Sequence, residues 1–359
     1  MKNKLKVIMV GPSLDMQGGV ASVARGYVEG GLGETCDLIY IGTACDGLKP
    51  KKALTFARAL VRFRRELPSA DVVHIHVSMR GSFNRKYRLA SMAYKAGKRV
   101  VLHEHDGEFA ALFEGGDDAY RAKVREFFGW ADRVIVLSEE WRNYFAADVC
   151  DPAKLIVMHN AVSLPEVPAK PCACKSVLFL GRLGTNKSPD VLLYAAKALR
   201  ARFPEARYVF GGDGDVDKYR ALAEELGVAD ACDFTGWVTG EDKERLVRQS
   251  GIFCLPSRHE GMPMSMLEMM SFGLPCVMTP VGGIPRVIRD GDNGYMSPVG
   301  DADALASRLA ELLASPGLRA RIGAAARETI ERAFNIDANI RRLSELYGEL
   351  VQTSGVRNG

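Results

Sequence analysis

No apolar run in this chain of 359 residues is long enough to span a bilayer. The longest charge-free stretch, residues 269–285, carries Pro275, Pro280 and Pro285, which rule out a spanning helix. Residues 1–10 hold three lysines, but their apolar run Val7-Ile8-Met9-Val10 is too short for a secretory leader. These absences predict a cytoplasmic protein unless its surface tethers it. Cysteine is also sparse: eight residues in a chain this long make no disulfide framework, and all eight are predicted to be reduced. Cys172 and Cys174 lack a second pair or nearby histidines at zinc-site spacing, and Cys254 and Cys276 sit in apolar runs as buried thiols. Repeats, low-complexity tracts, a G-x-G-x-x-G fingerprint and a Walker lysine are missing too.

What is present is a balanced globular composition, 47% hydrophobic and 26% charged, at a length that suits two cores. Short apolar runs alternate with helix-period segments from end to end, the pattern of parallel α/β units. Strand candidates occupy residues 5–10, 37–41, 72–77, 100–103, 134–137 and 155–158. After a break with Pro165, Pro168 and Pro171, they resume at 177–180, 208–210, 232–234, 252–255 and 275–278. A helix is predicted over 52–66, with Leu54, Ala57, Leu60 and Val61 on one face. Another covers 335–351, with Ile340, Leu343, Leu346, Tyr347 and Leu350 at helix spacing. The predicted fold is α/β: two doubly wound domains, residues 1–164 and 176–334, joined by a hinge at 165–175, with tail 335–359 returning to the first domain. Ligands are expected beyond the carboxyl ends of the strands, in the cleft between the domains.

The net charge of +4 conceals a basic block. Between Lys49 and Arg99, fourteen Lys/Arg face only Glu66 and Asp71, which implies an anionic partner. Chemistry-bearing residues gather in the loops after strands. Gly18-Gly19 precede a helical segment, as either a plain turn or a loop whose amides approach a phosphate. His103-Glu104-His105-Asp106-Gly107 follow a strand; without a helical ligand frame, a polar site gripping sugar hydroxyls fits better than zinc, with His105 and Asp106 foremost. His103 is expected to be a satisfied interior group, as are His74 and His76. In Gly181-Arg182-Leu183-Gly184-Thr185-Asn186-Lys187, two cations five residues apart can clamp a diphosphate. The Gly211-Gly212-Asp213 loop resembles a calcium loop through Asp213, Asp215, Asp217 and Glu224, but Lys218 stands where that loop needs glycine. Finally, Glu260-Gly261-Met262-Pro263-Met264-Ser265 lead into a helix bearing Glu268. Pro263 suits its first turn, and the Met264 and Ser265 amides remain open to an anion.

Taken together, Glu260-x7-Glu268 with Gly261 and Pro263 between, the Arg182/Lys187 pair, and the His105-Asp106-Gly107 turn resemble the retaining glycosyltransferases of family 4. The resemblance runs from Gly18-Gly19 to the C-terminal helix. It implies the GT-B architecture of two facing Rossmann-like domains and a metal-independent transfer with no cofactor beyond a nucleotide diphosphate sugar, a UDP-sugar ahead of a GDP-sugar. It implies that His105 reaches the donor sugar, Arg182 and Lys187 bind the diphosphate, Glu260 contacts the hexose and Glu268 the ribose. Met264 and Ser265 amides would meet phosphate, Gly236-Trp237-Val238 would flank the base, and Gly18, Gly19, Asp106, Gly181, Gly212, Gly261 and Met262 would complete the donor site. One departure stands out: the family often has glycine directly after the lysine, where this chain has Ser188-Pro189.

The basic segment then suits docking on an anionic membrane, with Arg58, Arg62 and Arg65 on one side of the 52–66 helix and a polyprenyl-diphosphate-linked glycan as acceptor. The expectation is a hexosyltransferase of capsule, exopolysaccharide or lipopolysaccharide synthesis, peripheral on the inner face of the cell membrane. Two rival classes are a soluble small-molecule glycosyltransferase or nucleotide-sugar epimerase, and a non-catalytic nucleotide-sugar sensor. Nucleic acid is disfavoured because aromatics do not interleave the basic run.

Overall fold

The computed structural model describes residues 4–79, 81–166 and 175–352. The chain divides into two compact units, Met1–Ala161 with Ile336–Gly359, and Val162–Asn335. Residues 167–174 of the expected hinge, with Cys172 and Cys174, lie outside the described residues.

In the first unit, β1 (Lys6–Gly11), β2 (Asp37–Gly42), β3 (Val72–Val77), β4 (Arg99–Glu104), β5 (Arg133–Val136) and β6 (Leu155–Val157) form one sheet in the order β2-β1-β3-β4-β5-β6. Every pairing is parallel. Helices on both faces of a parallel sheet bury both sides of each strand, so these segments read as continuous apolar runs rather than alternating ones. All six residues of β3 are buried, including His74 and His76.

The helix Lys49–Glu66 begins three residues earlier than expected, with Pro50 in its first turn. Its inward face carries buried Ala59 and Phe63, flanked by half-buried Phe56 and Leu60. The expected face is corrected: Leu54 and Val61 are 50% and 67% exposed. The helix has two apolar stripes, and the sheet takes the one with aromatic rings, which bury more area. The C-terminal helix Ile336–Gln352 buries all five residues read as its inward face, Ile340, Leu343, Leu346, Tyr347 and Leu350. It packs within the first unit against the helices Gly19–Glu29 and Leu32–Thr35.

Lys86 is the costly residue of this core. Only 2% exposed, it donates to Thr43 Oγ1 at 2.8 Å, and Thr43 in turn donates to the Gly11 carbonyl at 2.9 Å. Burial, then the neighbouring Arg85 charge, pulls its pKa down to about 7. Below that value the fold carries a buried ammonium with no carboxylate partner among the described residues; between it and the ordinary lysine value, the unfolded chain holds a proton that the folded chain has released. Lys86→Met is therefore expected to stabilise the protein by about 1–4 kcal/mol at pH 6, with the gain shrinking toward pH 10. Melting curves at both pH values check this, and a lower melting point at pH 6 would contradict it.

In the second unit, β7 (Ser176–Leu180), β8 (Arg207–Gly211), β9 (Cys232–Gly236), β10 (Ile252–Leu255), β11 (Cys276–Met278) and β12 (Tyr295–Met296) pair in parallel in the order β12-β11-β10-β7-β8-β9. β12 was not anticipated, since two residues carry no periodicity. The chain runs outward from β7 to β9, returns to the centre at β10, and runs outward the other way. Strand order thus reverses between β7 and β10, and in the first unit between β1 and β3. Connections leave such a reversal in opposite directions, so a crevice opens there at the carboxyl ends. Cys254 and Cys276 are buried in this sheet, and burial pushes both thiols far above the usual range.

Candidate functional site

The loops after β7 and β10 flank the reversal of the second unit, and they contain the expected charges. Arg182 is exposed and makes no ion pair among the described residues. Lys187 forms an ion pair with Glu260. Ser257 Oγ donates to the same carboxylate oxygen at 2.7 Å, and the Glu260 side chain is only 7% exposed. Lys187 is therefore shared with a carboxylate rather than left free for phosphate. The Arg258 amide donates to the Asn186 carbonyl at 2.8 Å, stapling the two loops together. Directly after Lys187, Ser188 adopts φ 48, ψ 54, and it is the one non-glycine residue with positive φ among the described residues. Serine thus holds a left-handed conformation that glycine adopts without cost, at a strain of about 1–2 kcal/mol.

The loop after β11 is an unanticipated support. At Gly282 (φ 56) a Cβ would lie 2.0 Å from the Glu260 carbonyl, and the Gly283 amide donates to the Gly261 carbonyl at 2.6 Å. Glycine at 282 is what allows this backbone approach. Gly212 plays the same part between strands: its Cβ would come 1.9 Å from the Gly181 carbonyl, and its amide donates to Gly236.

The helix after β10 spans Met264–Ser271. Pro263 is its N-cap in extended conformation, not a first-turn residue, because its ψ of 120 precedes the helical dihedrals. No side chain caps this helix and no acid lies in its first turn, so the Met264 and Ser265 amides stay open to an anion. Glu268 pairs with Lys243 at 3.0 Å. Trp237, after β9 and beside Val238, is 40% exposed.

In the first unit, Gly18 (φ 118) is the N-cap of the helix Gly19–Glu29, also without a side-chain cap or first-turn acid, and the space around Gly18 and Gly19 is open. Asp106 also shapes its turn. Its carboxylate accepts from the Met79 amide (3.0 Å), Ser78 Oγ (3.3 Å) and the Glu108 amide (3.1 Å), which commits it to shaping the turn. Buried Glu104 accepts from the His105 and Asp106 amides, and burial raises its carboxyl well above the usual range.

His105 is the end of a stack. β3 and β4 place His76 opposite His103, with His74 two residues back on the same face. Ring centroids lie 4.9 Å apart for His74–His76, 5.2 Å for His76–His103 and 4.1 Å for His103–His105. The expectation that His103 is satisfied is corrected, since among the described residues neither of its ring nitrogens has a hydrogen-bond partner. His74 and His76 each bond through Nδ1 alone. Burial lowers the pKa of His74 and of His105 to about 3, and those of His76 and His103 well below the ordinary value, so the stack is neutral near pH 7. His74, His76 and His103 bring ring nitrogens within 4.8 Å of one another, the one such grouping of ligand-type side chains among the described residues. Their rings are inclined at 28–29° for neighbouring pairs. Lys86 adds positive charge nearby and no carboxylate or thiolate joins the group.

Sequence reading missed Lys243, Ser257, Thr279 (which donates to the Ser257 carbonyl at 2.5 Å) and Gly282-Gly283. Only the glycine pair left a legible signal, following an apolar run.

Comparison with known proteins identifies the family. Residues 25–165 match the family described as Glycosyltransferase Family 4, and residues 165–329 match Glycosyl transferases group 1. A phosphatidyl-myo-inositol mannosyltransferase of Mycolicibacterium smegmatis is 30% identical over 298 residues, 80% of this chain and 75% of its own length. WcaL of Salmonella typhimurium, provisionally named a colanic acid biosynthesis glycosyltransferase, is 27% identical over 266 residues; the match covers 67% of this chain but only 64% of WcaL. Anabaena HepE, solved with UDP-glucose, superposes with a TM-score of 0.76 at 16% identity, over 96% of this chain and 100% of that one. The chain belongs to the family 4 glycosyltransferases of GT-B architecture.

Proposed function

We propose that the chain transfers a hexose from a nucleotide diphosphate sugar, a UDP-sugar in preference to a GDP-sugar, to a lipid-diphosphate-linked glycan, with retention and without metal. The observation that carries this reading is the arrangement on adjacent strands β7 and β10: exposed Arg182, Lys187 paired with Glu260, and an uncapped helix start at Met264. Arg182 and the helix amides stabilise the charge that develops on the leaving diphosphate, with Lys187 dividing its charge between phosphate and Glu260. In this reading Glu260 accepts from hexose hydroxyls and Glu268 from ribose hydroxyls while Lys243 holds it, with Trp237 by the base. The acceptor hydroxyl attacks C1 on the face the diphosphate leaves; the C1–O bond to phosphate breaks, and a diphosphate oxygen takes the hydroxyl proton.

The names of WcaL and the UDP-glucose complex of HepE support the polysaccharide and UDP-sugar elements. Docking on anionic lipid is supported by the outer face of helix Lys49–Glu66, where exposed Leu54 and Val61 lie among Arg58, Arg62 and Arg65. Among the described residues no helix is long and apolar enough to cross a membrane. The reading is tested on the full chain with UDP, UDP-glucose and GDP-mannose, in buffer and on vesicles with and without phosphatidylserine. Binding at a hundredfold excess over Kd should stabilise the fold by about 2.7 kcal/mol, and flotation with anionic vesicles should weaken with salt. No melting shift with any of the three nucleotides defeats the donor assignment; salt-independent or absent flotation defeats the docking.

A further inference from the structure

We infer that the cavity at the carboxyl end of β3 is a subsite for a sugar ring of the acceptor; this rests on the reading of the chain as an enzyme that transfers sugar to a glycan. The cavity lies wholly in the first unit, holds about 310 Å³ and is lined by Met79, Gly81, Phe83, Asn84, Tyr120 and Lys123. Met79 follows β3, and Phe83 and Asn84 open the helix Phe83–Lys95. Tyr120 and Lys123 belong to the first two turns of the helix Asp118–Gly129. In a doubly wound sheet ligands gather beyond the carboxyl ends of the strands where strand order reverses, and this sheet reverses between β1 and β3.

The lining has two characters. Met79 and Phe83, each 5% exposed, make an apolar floor, and the half-buried Tyr120 ring packs edge-on against Phe83 at 5.9 Å. The rim carries donors and is open: Gly81 and Asn84 are exposed, and the space around Gly81 is empty. Lys123 Nζ donates to Asn84 Oδ1 at 2.9 Å. An ammonium has no lone pair, so the amide oxygen must face it and the Asn84 NH2 group is left over. The Tyr120 hydroxyl makes no hydrogen bond among the described residues. Burial, then the Asp106 and Glu104 charges, raises its pKa, so it stays protonated and able to donate. A pyranose has the matching surface, apolar C–H faces edged by hydroxyls, and a few placed polar groups are what orient a small ligand in such a pocket. A hydrocarbon chain would leave these donors without partners, and the Asp106 charge near Tyr120 opposes a phosphate.

The test uses the full chain with the methyl glycosides of glucose, galactose, mannose and N-acetylglucosamine as probes. Their binding is read by ligand-observed saturation transfer, beside UDP calorimetry and melting temperature. At least one glycoside should bind the wild type. Tyr120→Phe, which removes one hydroxyl, and Asn84→Ala, at an exposed position, should each weaken that binding roughly three- to tenfold. UDP affinity and melting temperature should stay level in both variants, which separates a lost contact from a damaged fold. Binding of none of the four glycosides, or an affinity that neither substitution alters, overturns the inference; the second result would place the sugar elsewhere on the chain. Glycoside binding that remains sensitive to both substitutions while neither UDP nor UDP-glucose binds would instead defeat the donor reading and leave the subsite standing.

Discussion

Glu260→Gln is expected to slow sugar transfer by about two to three orders of magnitude while leaving UDP affinity unchanged or higher. The substitution keeps the shape of the side chain and a group for Ser257 to donate to, but removes the charge that Lys187 neutralises. Two consequences follow with opposite signs. The hexose loses an acceptor at a 7% exposed position, where a hydrogen bond to a charged group is strong. The diphosphate gains a lysine no longer held by a carboxylate. Lys187 is 27% exposed and can be solvated on its own, so stability should fall by only about 1 kcal/mol. UDP release from UDP-glucose, read beside UDP calorimetry and melting temperature, separates the effects. Undiminished turnover would remove Glu260 from the site.

Acidification is expected to unfold the first unit well before ordinary carboxylate titration. His74 is fully buried, and its pKa in the fold is about 3 against about 6.5 unfolded. Below pH 6.5 the unfolded chain takes up a proton that the folded ring refuses, so the stability present above 6.5 drains as pH falls toward 3. Each such histidine removes about 1.4 kcal/mol per pH unit. His105 follows with the same value, and His76 and His103 in the same direction. Glu104 opposes them, because a carboxyl raised by burial favours the folded state as pH drops, but it is one group against four. Against a total stability of about 5–15 kcal/mol, a steep fall in melting temperature between pH 6.5 and 4.5 is expected. His103→Leu, which removes no hydrogen bond, should flatten it. A level profile in the wild type would mean that water reaches the stack and satisfies it.

Much of the architecture is written in local pattern. Eleven of the twelve strands carry their own apolar signature, and the inward face of helix Ile336–Gln352 follows from 3.6-residue spacing alone. The loops richest in glycine, charge and histidine coincide with strand ends, so Arg182, Lys187, Glu260 and the helix at Met264 are legible as a group. Residue type and spacing settle these points because backbone hydrogen bonding and burial act over a few residues.

Pairings across the chain are a different matter, because they depend on which strands become neighbours. The order β12-β11-β10-β7-β8-β9 sets β10 beside β7, and only then do residues 187 and 260 meet. Nothing in the local sequence ties the Asp106 carboxylate to the Met79 amide, or joins Lys243 to Glu268. The histidines are the plainest case. His74 and His76 alternate on β3 by simple two-residue periodicity, yet their stack with His103 and His105 exists only because β3 and β4 lie parallel in that register. Local pattern specifies the elements and the chemistry at their ends, whereas strand pairing specifies which charges neutralise one another and which imidazoles share a proton, since those energies depend on distances that only a folded sheet fixes.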